Sequence, residues 1–346
     1  MKTFHSTIIF TKTPLNKYFR FLDVFQILPC HHLKDLPYSD LQRHYPAILE
    51  YWTSYEEEVA VPEIFEGLKD FVTSTTRMIV KQDLILSLLS CFTNHLFFRY
   101  SDTTGTWGVP MLDDNASREE MDTWSSKWNL VLFHSPGLSK QLKITGFSKH
   151  QYNDIELSKH FPYYQDDPNL DTDKNREITF PETIYMDLDS YFSQDKESKD
   201  VLNTAISYAV SAIELKQIKK TMSVVAAFTA VETMVNFEFR NQEAEKCNTC
   251  GQLQFKVAKK YRDYLLKYLG DSAHNKKKFN AYYSLRSKIV HTGQRFETES
   301  LFADVPEEKK NKEYLDQLEI LILSKFAVVQ WLLRNYKRTD KEVVEA

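Results

Sequence analysis

Five stretches between Asp200 and Lys337 carry apolar residues every three or four positions, and only short polar or glycine-containing breaks separate them. That spacing puts one apolar face on each 3.6-residue helix. The stretches are 200–217, 220–241, 254–270, 275–293 and 310–337. The third and fourth end on Gly270 and Gly293, where a left-handed glycine is the usual stop. Long amphipathic helices joined by short connections bury their faces by packing antiparallel, so an antiparallel helical bundle is expected over 191–346.

The first 190 residues lack this uniformity. Apolar spacing over Leu41–Tyr55, Pro62–Thr76 and Val80–Tyr100 predicts helices, whereas "GTWGVPML" and "WNLVLFHSP", bounded by turn formers, predict short strands. A polar, acidic stretch from Tyr163 to Asp187 is expected to be a linker or exposed loop. The expected fold is therefore mainly α, with an α+β region at 1–190 ahead of the bundle. A chain of 346 residues accommodates two such domains. The 8 glycines and 11 prolines argue against a loop-rich all-β design.

Composition narrows the setting. The longest apolar runs, Leu84–Phe92 and Ile320–Leu333, fall short of the roughly 18 uninterrupted apolar residues of a membrane span, so no membrane partner is expected. The N-terminus has no apolar core of signal-peptide length, which places the protein in the cytoplasm. Its four cysteines do not form a disulfide framework. Charge is uneven: residues 201–346 hold 24 basic and 18 acidic residues, and residues 1–200 hold 20 and 30. From Gln252 to Val290 ten Lys and Arg face only Asp263 and Asp271. This is either a polyanion footprint or a solvated lysine-rich helix face.

The fourth stretch contains "YYSLRSKIVHTG", with Arg286, Ser287 and His291 near its end. Arg, a polar residue, three more residues and then His is the motif of the HEPN superfamily. The preceding aromatics and closely following glycine resemble its Apea-like group in particular. "AAFTAVETMV" in the second stretch is similar to the apolar helix with an embedded glutamate, here Glu232, found in that group. The resemblance covers about residues 195–338. It implies a HEPN bundle acting as a homodimer and cleaving RNA without a metal, to a 2',3'-cyclic phosphate and a 5'-hydroxyl. It further implies a toxin or anti-phage defence effector, with residues 1–190 sensing a phage-derived trigger or restraining the nuclease. A non-catalytic dimerisation or RNA- or nucleotide-binding module is the alternative.

The residues support such chemistry on their own terms. Attack by a ribose 2'-hydroxyl needs proton transfer and a positive group beside the phosphorane. An imidazole titrates near neutrality and typically contributes about 10² to 10⁴ in rate, and a guanidinium offers phosphate a planar fork of donors. No cofactor is then required for catalysis. Positions 286 and 291 are about 140° apart on an ideal helix, so one copy is not expected to bring them side by side. Ser287 and His291 share a face. Two copies packed about a two-fold axis, their motifs lining one cleft, would resolve the split.

Each residue also has a purely structural reading. His291 can be a favourable charge at a helix C-terminus, Arg286 an ion-pair partner of Glu232, Ser287 a helix-positioning hydroxyl, and Tyr283 a core or base-stacking aromatic. Lys276, Lys277, Lys278 and Lys288 are either solvated or in contact with phosphate. Cys247 and Cys250, in "EKCNTCGQ", supply half of a zinc knuckle, which two copies could complete as a structural zinc site. An unliganded or redox pair is the other reading. The chain contains no G-x-x-x-x-G-K-[ST] or G-x-G-x-x-G loop, so nucleotide-driven chemistry is not expected.

Overall fold

The computed structural model describes residues 2–30, 45–56, 59, 67–99, 106–108, 130–132, 142–165, 175–242, 245–246, 253–254, 256–300 and 303–336. The chain forms two compact units, one of residues 1–158 with 169–180, the other of 159–168 with 181–346.

The first unit is built on an antiparallel sheet. Its strands are β1 (Lys2–Thr11), β2 (Phe19–Phe21), β3 (Phe25–Pro29), β4 (Tyr45–Ser54) and β5 (Phe97–Phe98), in the order β2-β3-β4-β1-β5. Strand β4 corrects the helix expected over Leu41–Tyr55. Its residues Ala47–Tyr51 are all buried, because β4 is flanked by β3 and β1 and covered on both faces. A strand buried on both faces loses its alternation and looks like a buried helix in sequence.

Helix α1 (Lys69–Phe92) merges parts of the two further helices expected there. Its backbone carbonyl at Met78 accepts the Tyr51 hydroxyl at 2.9 Å. Glu50, fully buried in β4, accepts from Gln26 Nε2 (2.7 Å), Ser148 N (2.8 Å) and Ser148 Oγ (2.7 Å). The carboxylate thereby fastens the segment around Ser148 onto the sheet. The short strands β6 (Thr106–Gly108) and β7 (Leu130–Leu132) pair in parallel, and β8 (Glu156–Ser158) pairs with β9 (Thr179–Pro181).

The second unit is helical. It comprises α2 (His160–Gln165), α3 (Ile184–Phe192), α4 (Lys196–Leu215), α5 (Lys220–Glu238), α6 (Val257–Leu269), α7 (Ala273–Thr292) and α8 (Glu307–Arg334), with β10 (Glu245–Lys246) paired to β11 (Leu253–Gln254). The molecule is thus mainly helical with an N-terminal antiparallel sheet. Among the described residues no helix is long and apolar enough to cross a membrane.

The Tyr163–Asp187 stretch, expected to be a linker or exposed loop, is largely structured where it is described. Tyr163, Tyr164, Phe180, Ile184 and Asp187 are all buried. The acidic composition misled because Asp187, the last acid of the stretch, points inward.

Local signals set the helix limits. Asp195 caps α4 by accepting from Ser198 N at 2.8 Å, and Ser272 caps α7 by accepting from Asn275 N at 3.0 Å. Helix α7 stops at Gly293, whose φ of +69° lets its N–H reach the Ile289 carbonyl at 3.1 Å. Helix α5 packs against α4, α6, α7 and α8 and is buried on most of its circumference, from Thr221 to Phe237. Any carboxylate carried on such a helix needs a partner.

Candidate functional site

Helix α5 carries two carboxylates, Glu238 at its end, held by Lys267, Tyr268 and Trp331, and Glu232, three turns along, whose partner is Arg286 on α7. Arg286 Nη2 donates to Glu232 Oε2 at 3.0 Å, and Nε lies 2.8 Å from Oε1. The side chains are each about 20% exposed. The Nε–H is not aimed at Oε1, which is a buried acceptor with no hydrogen bond among the described residues. Glu232 therefore holds the Nε/Nη2 edge of the guanidinium by one good hydrogen bond and one ionic contact.

The opposite nitrogen reaches His291. Arg286 Nη1 lies 3.4 Å from His291 Nε2 within one chain. This corrects the expectation that a single copy keeps the two apart. Five residues climb about 7.5 Å and rotate about 140°, but the arginine stem is long enough to bridge that gap, and Glu232 fixes where the stem lies. His291 is exposed in the last turn of α7, so the contact opens to solvent.

Chemically, the clamp leaves the end of the guanidinium available. A phosphate can take the outer edge formed by Nη1 and the second N–H of Nη2 while Glu232 keeps the inner one. A group bound there would lie against His291 Nε2. Ser287 is half-buried, and its hydroxyl makes no hydrogen bond among the described residues. Tyr283, one turn before Arg286, is half-buried with the guanidinium carbon 6.0 Å from its ring centre. Burial pushes the Tyr283 phenol up, Arg286 opposes the shift and Glu232 adds to it.

The floor of this arrangement was not evident in the sequence. Tyr261 on α6 is 2% exposed, with its ring 5.3 Å from Tyr283 and 6.2 Å from Phe228. Its phenol is held protonated far above the usual tyrosine range, first by burial and then by the charge of Glu232 and by Tyr283. Periodicity marks Tyr261 only as a core position of the third stretch; tertiary packing places it beneath the Arg286–Glu232 pair.

The four lysines divide. Lys276 pairs with Asp271 at 2.8 Å and Lys278 with Glu319 at 2.7 Å. Glu319 also accepts the Tyr282 hydroxyl. Burial opposes ionisation of Glu319, but Lys278 and Tyr282 outweigh it and keep the carboxyl below its ordinary range. Lys277 and Lys288 are exposed and have no ion pair among the described residues. Cys247 and Cys250 lie outside the described residues. Among the described residues no group of three or more His, Cys, Asp or Glu is placed to hold a metal.

No family description matches the chain, and neither the curated proteins nor the solved structures compared with it give a match.

Proposed function

We propose that the protein is an endoribonuclease of the HEPN type, with Arg286 and His291 as its catalytic pair. The observation that carries the reading is the 3.4 Å approach of Arg286 Nη1 to His291 Nε2 at an exposed helix end, with Glu232 orienting the guanidinium from behind. In this reading Arg286 binds a non-bridging phosphate oxygen and stabilises the charge that grows on the phosphorane. His291 moves the proton of the 2'-hydroxyl or of the leaving 5'-oxygen. The products are a 2',3'-cyclic phosphate and a 5'-hydroxyl. No metal takes part in these steps. Lys277 and Lys288 supply contacts to flanking phosphates, and Lys276 and Lys278 exchange weak internal ion pairs for them.

The homodimer, the role as a toxin or defence effector, the phage-derived trigger, the cytoplasmic setting and a zinc bridged by Cys247 and Cys250 are parts of the same proposal. The first three rest on the resemblance, and the zinc on the spacing of the two cysteines. The second reading is a non-catalytic RNA- or nucleotide-binding module. It is favoured by one observation, that a buried carboxylate already occupies one whole edge of Arg286.

The deciding experiment incubates purified protein with total RNA in chelator and maps the ends. Cleavage leaving cyclic phosphates, lost in both Arg286→Ala and His291→Ala, is expected. Binding without cleavage would favour the second reading, and cleavage unchanged in both variants would remove the assignment. Light scattering at micromolar concentration reports whether two copies assemble. Metal analysis of fresh protein checks the zinc, with half an atom per chain expected for a site shared by two copies.

A further inference from the structure

The turn that follows His291 is fixed at both ends. Gly293 closes α7, Gln294 and Arg295 are exposed, and Phe296 is buried. Phe296 N donates to Thr221 Oγ1 at 2.9 Å, and the Thr221 hydroxyl donates in turn to Glu299. Glu299 also accepts from Thr221 N at 3.0 Å. Helix α5 has no side-chain cap at Lys219, so this carboxylate from beyond the turn serves one of the orphan N–H groups at its start. Glu313 of α8 does the same for the single 3-10 turn Glu297–Glu299, accepting from Glu297 N at 2.9 Å, Thr298 N at 3.0 Å and Thr298 Oγ1 at 2.8 Å.

This clasp commits the acids around it. Glu297 pairs with Lys309, Glu299 holds Thr221, and Glu313 holds the 3-10 turn. Arg295 makes no hydrogen bond or ion pair among the described residues. The other arginines described in the helical unit are all engaged: Arg240 with Glu197, Arg262 with Asp263, Arg286 with Glu232, and Arg334 with the Lys267 carbonyl. A long cation on a fixed backbone, with no acid of its own, is prepared to take an anion from outside.

We propose that Arg295 is a phosphate-binding residue, holding a phosphate of the RNA strand next to the one taken between Arg286 and His291. The inference rests on the reading of that helix end as an RNA site. Position supports it: four residues span at most about 14 Å, and the left-handed Gly293 shortens that reach by turning the chain. Arg295 and His291 can therefore serve adjacent phosphates of one strand. Lys288, one turn before His291, supplies a cation from the other direction along the chain. Arg295 touches no reacting group in this arrangement, so it acts on binding and not on the chemical step.

The salt dependence of binding tests this on the full chain. The probe is a single-stranded oligouridylate with 2'-O-methyl riboses, which has no 2'-hydroxyl to attack and stays intact. Each phosphate contact with a single strand adds about 0.7 to the slope of log affinity against log salt, so Arg295→Ala should lower the slope by about 0.7 and weaken binding about fivefold at about 0.1 M salt. Arg295→Lys keeps the charge and should keep the slope. Lys196→Ala removes the same charge at the other end of α5, where Glu197 meets Arg240, and should leave the slope as in wild type. With cleavable RNA, Arg295→Ala should raise KM and leave kcat unchanged. An unchanged slope in Arg295→Ala, an equal fall in Lys196→Ala, or a wild type without salt-dependent binding overturns the proposal. A fall in slope without any RNA cleavage keeps the phosphate contact and removes the nuclease, whereas cleavage with an unchanged slope removes the role of Arg295 alone.

Discussion

Glu232 holds Arg286 from the inner side, Oε2 accepting Nη2 at 3.0 Å, so that Nη1 of the same guanidinium faces His291 at the open end of α7. Glu232 is thus a positioning residue whose removal should act through the arginine. Glu232→Ala leaves a guanidinium that is only about 20% exposed without its partner. It should cost about 1–3 kcal/mol in denaturant unfolding. Under the proposed function RNA cleavage should fall as well, with Glu232→Gln recovering part of both because its amide oxygen can still accept from Nη2.

His291 has no such structural burden. It is exposed, and the one side-chain hydrogen-bond contact it makes among the described residues is the long one to Arg286. His291→Ala should leave the melting temperature within about a degree of wild type while lowering cleavage by about 10²- to 10⁴-fold. Paired melting curves and single-turnover cleavage of one RNA check this. A large fall in melting temperature would assign His291 to stability instead.

Asp187 makes the helical unit sensitive to alkali. It is fully buried, its Oδ1 has no hydrogen bond among the described residues, and burial pushes its carboxyl up to about 8 against a weaker opposing bond from Thr183. The folded state therefore holds a proton that the unfolded chain has released above the ordinary aspartate range. Stability should fall as pH rises from about 4 towards 8 and level off beyond. Asp187→Asn should abolish that slope and stabilise the unit at pH 8 by on the order of a few kcal/mol. Urea unfolding at a series of pH values reads both effects.

The stop of α7 can be tested two residues beyond His291. A Cβ at Gly293 would meet no atom within 4 Å, so Gly293→Ala introduces no clash and bears only the strain of φ +69°. A loss of about 1 kcal/mol is expected by chemical denaturation. Fraying of the last turn would also loosen His291.

In the sheet unit, Glu50 receives three hydrogen bonds from Gln26 and Ser148. Glu50→Ala strands all three donors and empties a fully buried site, for an expected loss of about 3–5 kcal/mol. Glu50→Gln, which keeps one oxygen acceptor, should lose less.

The sequence alone determined the helices of the bundle and the residues of the candidate site. Apolar periodicity, Gly270 and Gly293 mark α4 to α8 because a helix that buries one face must repeat that face, and because its stop needs a backbone that only glycine takes easily. The motif residues Arg286, Ser287 and His291 could be named from their order. Tertiary structure decided the rest. Strand β4 is covered on both sides and so lost the alternation that identifies a strand. His160 lies inside because Thr183, 23 residues away at the start of α3, and Gln330 of α8, 170 residues away, receive it, and the Thr183 hydroxyl in turn donates to the buried Asp187. Arg286 meets His291 within one chain, although helix geometry sets them apart, because Glu232 of a different helix directs the guanidinium. Periodicity reports which face a residue occupies; where a long polar side chain ends up depends on the charges that packing brings to it.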